Sequence, residues 1–461
     1  MKIYPLVVIG AGAAGLVVAI GAAKAGKKVL LIENGHYGGD CTNFGCIPSK
    51  SLIASSHLAQ GLKESLRLGI SYSSSSFNAK EALSRTRHIV EEVRSHEDAS
   101  ALAKVGVETL TGRASFKEPH ILEVNGETIF GEQIVLATGS SPLIPPIKGL
   151  NQTPYLTNET IFDLGDIPES LIVMGGGPIG SELSQAFQRL GSKVSLIHSH
   201  NQLLNREELC AQTVIREKFL SEGISLFFNV HILEVEHKNE IHVTLDNGKK
   251  ISAKALLVSV GRKPNVDSLN LSAAGVKYAD HGIPIDAYGR TNISHIWAIG
   301  DITGPPFFTH RAENQARAVL ASLLLPFKKR LDLSQAIPRV TYTDPEVASV
   351  GLSEEEAAKR YKIASYFVPF TAVDRAVTTG RTEGFVKIVT KKWSSKILGC
   401  TIVSPRAGEM LGEVTLAMNA GIPLRKLANL IHPYPTYNQA IRKAADLWLT
   451  QTILPLFRRK K

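Results

Sequence analysis

Short, wholly apolar runs that end at a glycine recur along the chain. The run Leu-Val-Val-Ile at residues 6–9 precedes the string GAGAAG, and Leu-Ile-Val-Met at residues 171–174 precedes GGGPIG. Apolar runs of this length predict buried strands, and the small and apolar residues after each glycine string are numerous enough for a helix. A further apolar strand follows each helix, at residues 28–33 and 193–197. The pattern therefore predicts two βαβ units.

The first glycine string has the spacing G-x-G-x-x-G and lies between a predicted strand and a predicted helix. In such a turn the first glycine allows the tight bend, the second lets backbone N–H groups approach a pyrophosphate, and the third lets the helix pack against the strand. An acidic residue ends the second strand, where a carboxylate accepts hydrogen bonds from a ribose diol. The predicted dinucleotide site consists of Gly10, Gly12, Ala13, Ala14, Gly15 and Glu33.

The second glycine string differs at the end of the strand that follows it. Gly175, Gly177 and Gly180 repeat the turn, but His198 and Ser199 stand where the first unit has a carboxylate. Without a negative charge, nothing at this strand end repels a 2′-phosphate. NADPH is therefore predicted at the second site in preference to NADH. Simple surface exposure at a strand end is the alternative explanation for the histidine.

Three more apolar strands end in small or acidic residues. They lie at residues 134–140, 256–265 and 296–301, and the last ends in Gly300-Asp301 before a helix predicted from about residue 307. An aspartate at the carboxyl end of a strand lies where open α/β sheets bind ligands. We expect these strands to complete the two dinucleotide-binding domains.

Composition supports a folded multidomain protein. The chain has 461 residues, of which 44% are hydrophobic and 20% charged, and this length predicts about three domains. The net charge of +10 includes four basic residues at 458–461; no nucleic-acid partner is predicted, and membrane-surface contact through this basic tail is the less favoured alternative. Residues 6–23 are uncharged, but four glycines and a division into strand and helix argue against a membrane span. We expect a cytoplasmic protein.

The most informative segment is GGDCTNFGCIPSK at residues 38–50, which holds two of the four cysteines. Cys41 and Cys46 are five residues apart, which on a regular helix leaves their side chains about 140° apart. A bridge between them therefore requires a distorted backbone, which Gly45 and Pro48 can provide. A pair held in this way is expected to form a reducible, redox-active disulfide. No metal site is predicted, because a structural zinc site needs about four ligands and no second pair at finger spacing occurs.

On this segment and the two glycine turns, the chain resembles the class I flavoprotein pyridine nucleotide-disulfide oxidoreductases over essentially its whole length. In motif it is most similar to the mercuric reductases and dihydrolipoamide dehydrogenases. The resemblance implies an α/β fold with two Rossmann-like dinucleotide-binding domains, for FAD and NAD(P)H, and a C-terminal α+β dimerisation domain of a homodimer. The implied boundaries are residues 1–149 and 281–335 for the FAD domain, 150–280 for the NAD(P)H domain and 336–461 for the dimerisation domain.

The resemblance also implies roles for single residues. Electrons would pass from the pyridine nucleotide through FAD to the disulfide, with Cys46 as the thiolate against the flavin and Cys41 as the thiol that meets the acceptor. Lys50 would lie near the reactive nitrogen of the flavin and pair with Glu182. Asp301 would bind the ribityl or pyrophosphate part of FAD. The remaining predicted cofactor-binding positions are Gly39, Asp40, Cys41, Lys50, Ala114, Thr138, Gly139, Gly261, Gly300 and Thr309.

Asp40 departs from the family pattern, in which a threonine is common at this position. An acid there is expected to weaken a phosphate contact or to raise the pKa of a neighbouring thiol. FAD is still expected to bind.

The C-terminal segment departs from the disulfide-reducing members of the family. Those members have the motif H-P-T-x-x-E, whose histidine exchanges protons with the interchange thiol of the other subunit. This chain has HPYPTYNQ at residues 432–439, which puts Tyr434 at the position of the histidine and Gln439 at that of the glutamate. A phenol with a pKa of ~10 is a poor base at neutral pH, so disulfide exchange should be impaired. A shifted backbone that brings His432 into the site is the alternative.

Mercuric reductase resembles this chain in having a tyrosine at that point, and a thiolate pair suits a thiophilic metal ion. The sequence lacks, however, the cysteine pair near the C-terminus and the N-terminal metal-binding module of that enzyme. It therefore predicts NADPH-dependent reduction of an acceptor that is a metal ion, a quinone or a disulfide. Two alternatives stay open, a dihydrolipoamide dehydrogenase that uses NAD, and a low-turnover flavin redox sensor or membrane-surface interaction protein.

Overall fold

The computed structural model describes residues 1–71, 78–332 and 336–458, except for the side chain of Arg458. The basic tail therefore lies outside the described residues, apart from the backbone of Arg458. Within the described ranges, no helix is long and apolar enough to cross a membrane. The uncharged stretch at residues 6–23 instead forms most of a strand, a turn and most of a helix.

The first unit is built on a twisted seven-stranded sheet in the order β3-β2-β1-β6-β5-β4, with one later strand on the free edge of β6. Its central strands run parallel, as a βαβ unit requires. Its strands are β1 Lys2–Ile9, β2 Val29–Glu33, β3 Val107–Thr111, β4 Ser115–Glu118, β5 Ile121–Val124 and β6 Glu127–Leu136, followed by β7 Ser140–Pro142. Its helices are α1 Ala13–Lys24, α2 Gly39–Asn43, α3 Cys46–Lys63, α4 Lys80–Ser95 and α5 Ala99–Lys104.

The second unit has a parallel four-stranded sheet in the order β10-β9-β8-β14 and an antiparallel sheet β11-β12-β13. The elements are β8 Ser170–Met174, α6 Pro178–Arg189, β9 Lys193–His198, α7 Leu209–Ser221, β10 Ser225–Phe228, β11 Ile232–His237, β12 Ile241–Leu245, β13 Lys250–Ala253, β14 Ala255–Val258 and β15 Arg262–Pro264. Because β15 pairs with β7, the strands by which the chain leaves the first unit and returns to it lie side by side.

The chain then returns to the first unit. Strand β16 Ile296–Ala298 pairs in parallel with β6, and helix α8 Thr309–Leu324 packs against α1. Helix α1 is apolar on all sides because it lies between the sheet and α8. The first unit is therefore assembled from two segments of sequence, with the second unit inserted between them.

The C-terminal region has a five-stranded antiparallel sheet in the order β17-β18-β21-β20-β19, with helices on its buried face. Its elements are β17 Arg339–Thr341, β18 Glu346–Gly351, α9 Glu354–Ala358, β19 Ile363–Pro369, α10 Asp374–Thr378, β20 Phe385–Lys391, β21 Ile397–Ser404, α11 Ala407–Asn419, α12 Leu424–Leu427, α13 Gln439–Trp448 and α14 Leu454–Arg458. A π-helical stretch at Leu449–Ile453 joins α13 to α14. The predicted α/β architecture with a C-terminal α+β domain is confirmed.

Three predicted strands are shorter than the sequence pattern indicates, and the one predicted at residues 296–301 ends at Ala298 before a 3₁₀ turn at Gly300–Thr303. The run at residues 134–140 divides into β6 and β7, and the run at residues 256–265 divides into β14 and β15. Gly139 and Gly261 lie in the breaks with φ of +71° and +145°. A strand cannot continue through such a backbone conformation.

Candidate active site

The two glycine turns have nearly identical backbone geometry. A Cβ on Gly10 would lie 2.4 Å from the carbonyl oxygen of Ala137, and one on Gly15 would lie 1.9 Å from that of Gly10. In the second unit the equivalent contacts are 2.4 Å at Gly175 and 1.9 Å at Gly180. Gly177, like Gly12, is the residue just before the helix of its unit. Only glycine fits the close approaches, and both turns leave helix N-termini open toward a ligand.

The residue at the end of the second strand secures each turn. Glu33 accepts hydrogen bonds from the backbone N–H groups of Ala11 (2.7 Å) and Gly35 (2.8 Å). At the second site, His198 Nδ1 accepts from the Gly176 N–H at 3.1 Å. Burial lowers the pKa of His198 to about 4, so this ring is neutral at pH 7. Ser199 is exposed beside it.

A cavity of about 1160 Å³ extends from the first glycine turn to the cysteine pair. This exceeds the ~300–1000 Å³ of typical small-molecule sites and has room for a dinucleotide. The predicted residues that line it are Gly10, Gly12, Ala13, Ala14, Glu33, Gly39, Asp40, Cys41, Cys46, Lys50, Ala114, Thr138, Gly139, Glu182, Gly300, Asp301 and Thr309. The lining excludes Gly15, which is buried under the turn, and the residues of the second nucleotide site, among them Gly261.

The cavity fits FAD in the character of its lining. Gly39 lies so close to Gly12 that a Cβ there would come within 2.5 Å of the Gly12 Cα, so the cysteine segment packs directly on the phosphate-binding turn. Asp301 lies in the 3₁₀ turn Gly300–Thr303 that follows β16, where its Oδ2 accepts a hydrogen bond from Ser140 Oγ at 2.7 Å. Burial raises the pKa of Asp301. The turn can hold a pyrophosphate, while Glu33 and Asp301 can each bind hydroxyl groups.

The two cysteines lie on either side of a break between helices. Helix α2 ends at Asn43, and α3 begins at Cys46 after Gly45, whose φ and ψ are −116° and −105°. This is the backbone distortion that the five-residue spacing requires. Both cysteines are free thiols in the structure; Cys41 is half-buried and Cys46 is exposed within the open cavity.

The thiols differ strongly in acidity. The hydrogen bond from Cys41 and the positive charge of Lys50 lower the pKa of Cys46 to about 6, against the opposing effect of burial. The same hydrogen bond, together with burial, raises the pKa of Cys41. Thr309 Oγ1 lies 3.9 Å from the Cys46 sulfur and also favours its thiolate. At pH 7 the pair therefore consists of a Cys46 thiolate and a Cys41 thiol.

A buried ion pair lies beside the thiolate. Lys50, one helical turn after Cys46, is 2.8 Å from Oε2 of Glu182, whose side chain is only 7% exposed. The backbone N–H of Tyr342 donates to Glu182 Oε1 at 2.8 Å, and the Tyr342 ring lies 4.3 Å from Lys50 Nζ. All three domains thus contribute to the surroundings of Lys50, and its charge is fixed next to Cys46.

Asp40 is paired. Its Oδ1 is 3.0 Å from Arg262 Nη2 and accepts a hydrogen bond from Asn158 Nδ2 at 3.1 Å. Sequence reasoning identified neither partner, because both are more than a hundred residues away along the chain.

The C-terminal candidates lie away from the cavity of their own chain. Tyr434 is 71% exposed, and its hydroxyl donates to Asp374 at 2.9 Å. His432 contacts Glu413 Oε1 (2.9 Å) and the Leu430 carbonyl (3.2 Å) through its two ring nitrogens. Gln439 donates to backbone carbonyls of the same segment. Whether Tyr434 or His432 faces the thiols of a second subunit stays a prediction.

The structure adds a histidine that the sequence pattern did not single out. His310 follows Thr309 and lines the same cavity. Its Nε2 must be the protonated nitrogen because it donates to the carbonyl oxygen of Pro338 at 2.8 Å. Burial lowers the pKa of His310, so the ring is neutral at pH 7. No sequence motif marks this residue.

Comparisons with known proteins match nearly the whole chain. The profile described as "Pyridine nucleotide-disulphide oxidoreductase" matches residues 4–316, and that of the dimerisation domain of the same family matches residues 337–445. The chain is 34% identical to a mercuric reductase of Lysinibacillus sphaericus over 96% of this chain and 83% of the relative. It is 35% identical to a dihydrolipoyl dehydrogenase of Thermus scotoductus over 98% and 99%.

A solved structure shares the whole architecture. The Cu(II) complex of the HOCl-induced flavoprotein disulfide reductase RclA from Escherichia coli superposes with a TM-score of 0.87 at 29% identity. The match covers 95% of this chain and 98% of that one. The similarity therefore extends over all three regions of the fold.

Proposed function

The chain belongs to the pyridine nucleotide-disulphide oxidoreductase family, and from that premise we propose that it uses NADPH to reduce a soft metal ion through Cys41 and Cys46. The family consists of flavin-dependent disulfide oxidoreductases that use a pyridine nucleotide, and the dimerisation domain supports a homodimer. The observation that carries the proposal is the placement of the thiol pair in the cavity, with Cys46 one helical turn before Lys50, whose ammonium group is fixed by Glu182. A cytosolic location stays a prediction.

FAD would occupy the cavity between the first glycine turn and the thiols. Gly10, Gly12 and Gly39 would receive its pyrophosphate, and Glu33 and Asp301 would bind its hydroxyl groups. When bound, FAD supplies the two-electron transfer between the pyridine nucleotide and the thiol pair. Lys50, held by Glu182, adds a fixed positive charge at the thiol end.

The thiols would hold the acceptor. Cys46 is already a thiolate at pH 7, whereas Cys41 releases its proton when its sulfur bonds to the metal ion. Two sulfur ligands suit a soft ion such as Hg(II), which takes up two electrons to become the metal. Mercuric reductases among the relatives support an acceptor of this class, and a Cu(II) complex among the similar structures supports metal-ion binding in general.

The nucleotide preference is inferred from His198. A carboxylate at this strand end would repel the 2′-phosphate of NADPH, whereas the neutral His198 ring does not. Its Nδ1 secures the glycine turn in the way that Glu33 secures the first one. The glycine turn of the second site therefore keeps its supporting hydrogen bond although no carboxylate is present at the end of the strand.

An acceptor screen tests this proposal. The rates of NADPH and NADH oxidation would be measured separately with each of five acceptors, namely Hg(II), Cu(II), a quinone, glutathione disulfide and lipoamide. Both the wild type and Cys41→Ala would be assayed. We expect NADPH with a metal ion to give the highest rate, and Cys41→Ala to lose it. Rapid NAD-linked turnover with lipoamide would overturn the proposal and favour a dihydrolipoamide dehydrogenase. The 35% identity to such an enzyme supports this alternative.

Because Tyr434 is a poor base, a variant that introduces a base at this position should gain disulfide reduction in the same screen. In the variant Tyr434→His/Gln439→Glu we expect disulfide reduction to rise by about 10²-fold, because a positioned general base contributes roughly 10²–10⁴-fold. Tyr434→Phe is the matched control, since it removes the hydroxyl without adding a base. Equal rates of disulfide reduction in both variants would show that residue 434 does not limit this reaction.

A further inference from the structure

Asp40 follows directly on Gly39, which packs against the phosphate-binding turn at Gly12. Because of this placement, the carboxylate of Asp40 belongs to the lining of the cavity that would hold a negatively charged cofactor. Two like charges close together repel each other, and the repulsion is stronger away from bulk water. An unpaired carboxylate at this position would therefore oppose the binding of a pyrophosphate.

Arg262 lies beside Asp40 in the wall of the cavity, with its Nη2 3.0 Å from Asp40 Oδ1, and its side chain is well buried. Its side chain is 11% exposed, and that of Asp40 is 37% exposed. The guanidinium donates from Nε to Ser140 Oγ (2.8 Å) and from Nη2 to the Ser140 carbonyl (2.7 Å), in addition to its contact with Asp40. These bonds fix the guanidinium plane, which a lysine could not reproduce.

The charge of Arg262 also acts on two further carboxylates, Asp301 and Glu159. Ser140 Oγ, which accepts from Arg262, donates to Asp301 at 2.7 Å. Burial and the charge of Asp40 raise the pKa of Glu159, whereas the charge of Arg262 lowers it. The Arg262 guanidinium thus acts on Asp40, Glu159 and Asp301, all of which line the cavity, and the charge of Arg311 also acts on Asp301.

We propose that Arg262 is a positioning residue that neutralises Asp40 and so allows a carboxylate to stand next to the phosphate-binding turn. The pair also connects the cysteine segment to β15, the strand by which the chain returns to the first unit. Asn158 completes the connection, because its Nδ2 lies 3.1 Å from Asp40 Oδ1 and 3.3 Å from the Phe44 carbonyl. The proposal rests on the proposed occupation of this cavity by FAD.

A double-mutant cycle tests the proposal through FAD affinity, measured by titrating FAD into cofactor-free protein and following its fluorescence. Arg262→Ala should weaken FAD binding by at least about 10-fold, because it leaves the cavity-lining carboxylate of Asp40 without its charge partner. In the Asp40→Thr background the same change should weaken binding by less than about 3-fold, because the repelling carboxylate is absent. Arg262→Lys should fall between wild type and Arg262→Ala.

Lys263→Ala provides the matched control. Lys263 is the neighbouring cation, lines the same cavity and is paired with exposed Asp267. Its replacement should change FAD affinity by the same factor in both backgrounds. Thermal unfolding of the cofactor-free proteins separates a merely structural effect from one on the cofactor.

Equal losses from Arg262→Ala in the two backgrounds would overturn the proposal. The proposal would also be overturned if adding Asp40→Thr to Arg262→Ala restored the melting temperature of the cofactor-free protein but not its FAD affinity. If Arg262→Ala does not fold, the loss of FAD affinity is compared between the two backgrounds with Arg262→Gln and Arg262→Lys instead. A wild-type protein that binds no FAD would instead refute the proposed function.

Discussion

Replacing Cys46 with serine should reduce turnover with every acceptor by at least about 10³-fold, the scale of loss seen when an activated nucleophile is removed. Cys46 is the thiolate of the pair, with a pKa of about 6, and it begins α3 one turn before Lys50. A serine hydroxyl ionises only at far higher pH and cannot form the disulfide. Steady-state oxidation of NADPH with each acceptor measures the loss.

The control for this variant is Cys400→Ser. Cys400 is fully buried in the C-terminal core, and burial raises its pKa. Its replacement should leave turnover within about 3-fold of wild type. If Cys46→Ser retains a comparable rate, electrons reach the acceptor without the thiol pair, and the proposed route is wrong.

The acidity of Cys46 gives the same prediction a pH dependence. The pKa is lowered, so the thiolate predominates above about pH 6 and is lost by protonation below it. Alkylation of Cys46 by iodoacetamide in the reduced protein should therefore rise with a midpoint near pH 6. In Cys41→Ala the midpoint should move upward, because the hydrogen bond from Cys41 is the largest cause of the shift. Peptide mass spectrometry of each cysteine measures both profiles.

Replacing Lys50 with methionine should lower turnover by roughly 10²–10³-fold, as the removal of a preorganised charge at a reacting centre commonly does. The methionine preserves the apolar stem but removes the charge that favours the Cys46 thiolate. Among the residues that the structure describes, it also leaves the buried Glu182 with the Tyr342 N–H as its remaining hydrogen-bond partner, at a cost of about 1–3 kcal/mol in stability. Rapid mixing with NADPH measures the loss of turnover, and thermal unfolding measures the loss of stability.

Glu182→Gln separates the charge of Lys50 from its placement. The amide still accepts from the Tyr342 N–H, but it no longer fixes the ammonium group by an ion pair. We expect a smaller loss than in Lys50→Met and a higher midpoint for Cys46 alkylation only in Lys50→Met. An unchanged alkylation profile in Lys50→Met would contradict the electrostatic role of this lysine.

Local sequence determines the parts of the site that depend on backbone geometry. The first and last glycines of both turns could be predicted because only glycine tolerates a carbonyl oxygen within 2.4 Å of the position that a Cβ would occupy. The break between Cys41 and Cys46 could be predicted from their spacing. Glu33 and His198 could be located because the end of a parallel strand lies beside the turn that precedes it.

The remaining parts depend on contacts between distant segments. Arg262 meets Asp40 only because β15 pairs with β7, and Tyr342 reaches Glu182 only because the C-terminal domain packs on the second unit. No local pattern records these approaches. The position of Tyr434 relative to the thiols depends, in addition, on a second subunit, so it stays a prediction based on the family.

The most direct test of the central claim is to count the alkylated cysteines before and after anaerobic addition of NADPH to the purified FAD-bound protein. We predict that Cys41 and Cys46 are both protected in the oxidised protein and both alkylated after NADPH is added, with Cys400 unchanged throughout. If NADPH bleaches the flavin absorbance while the alkylation of Cys41 and Cys46 stays the same, the thiol pair does not receive the electrons, and the account is contradicted.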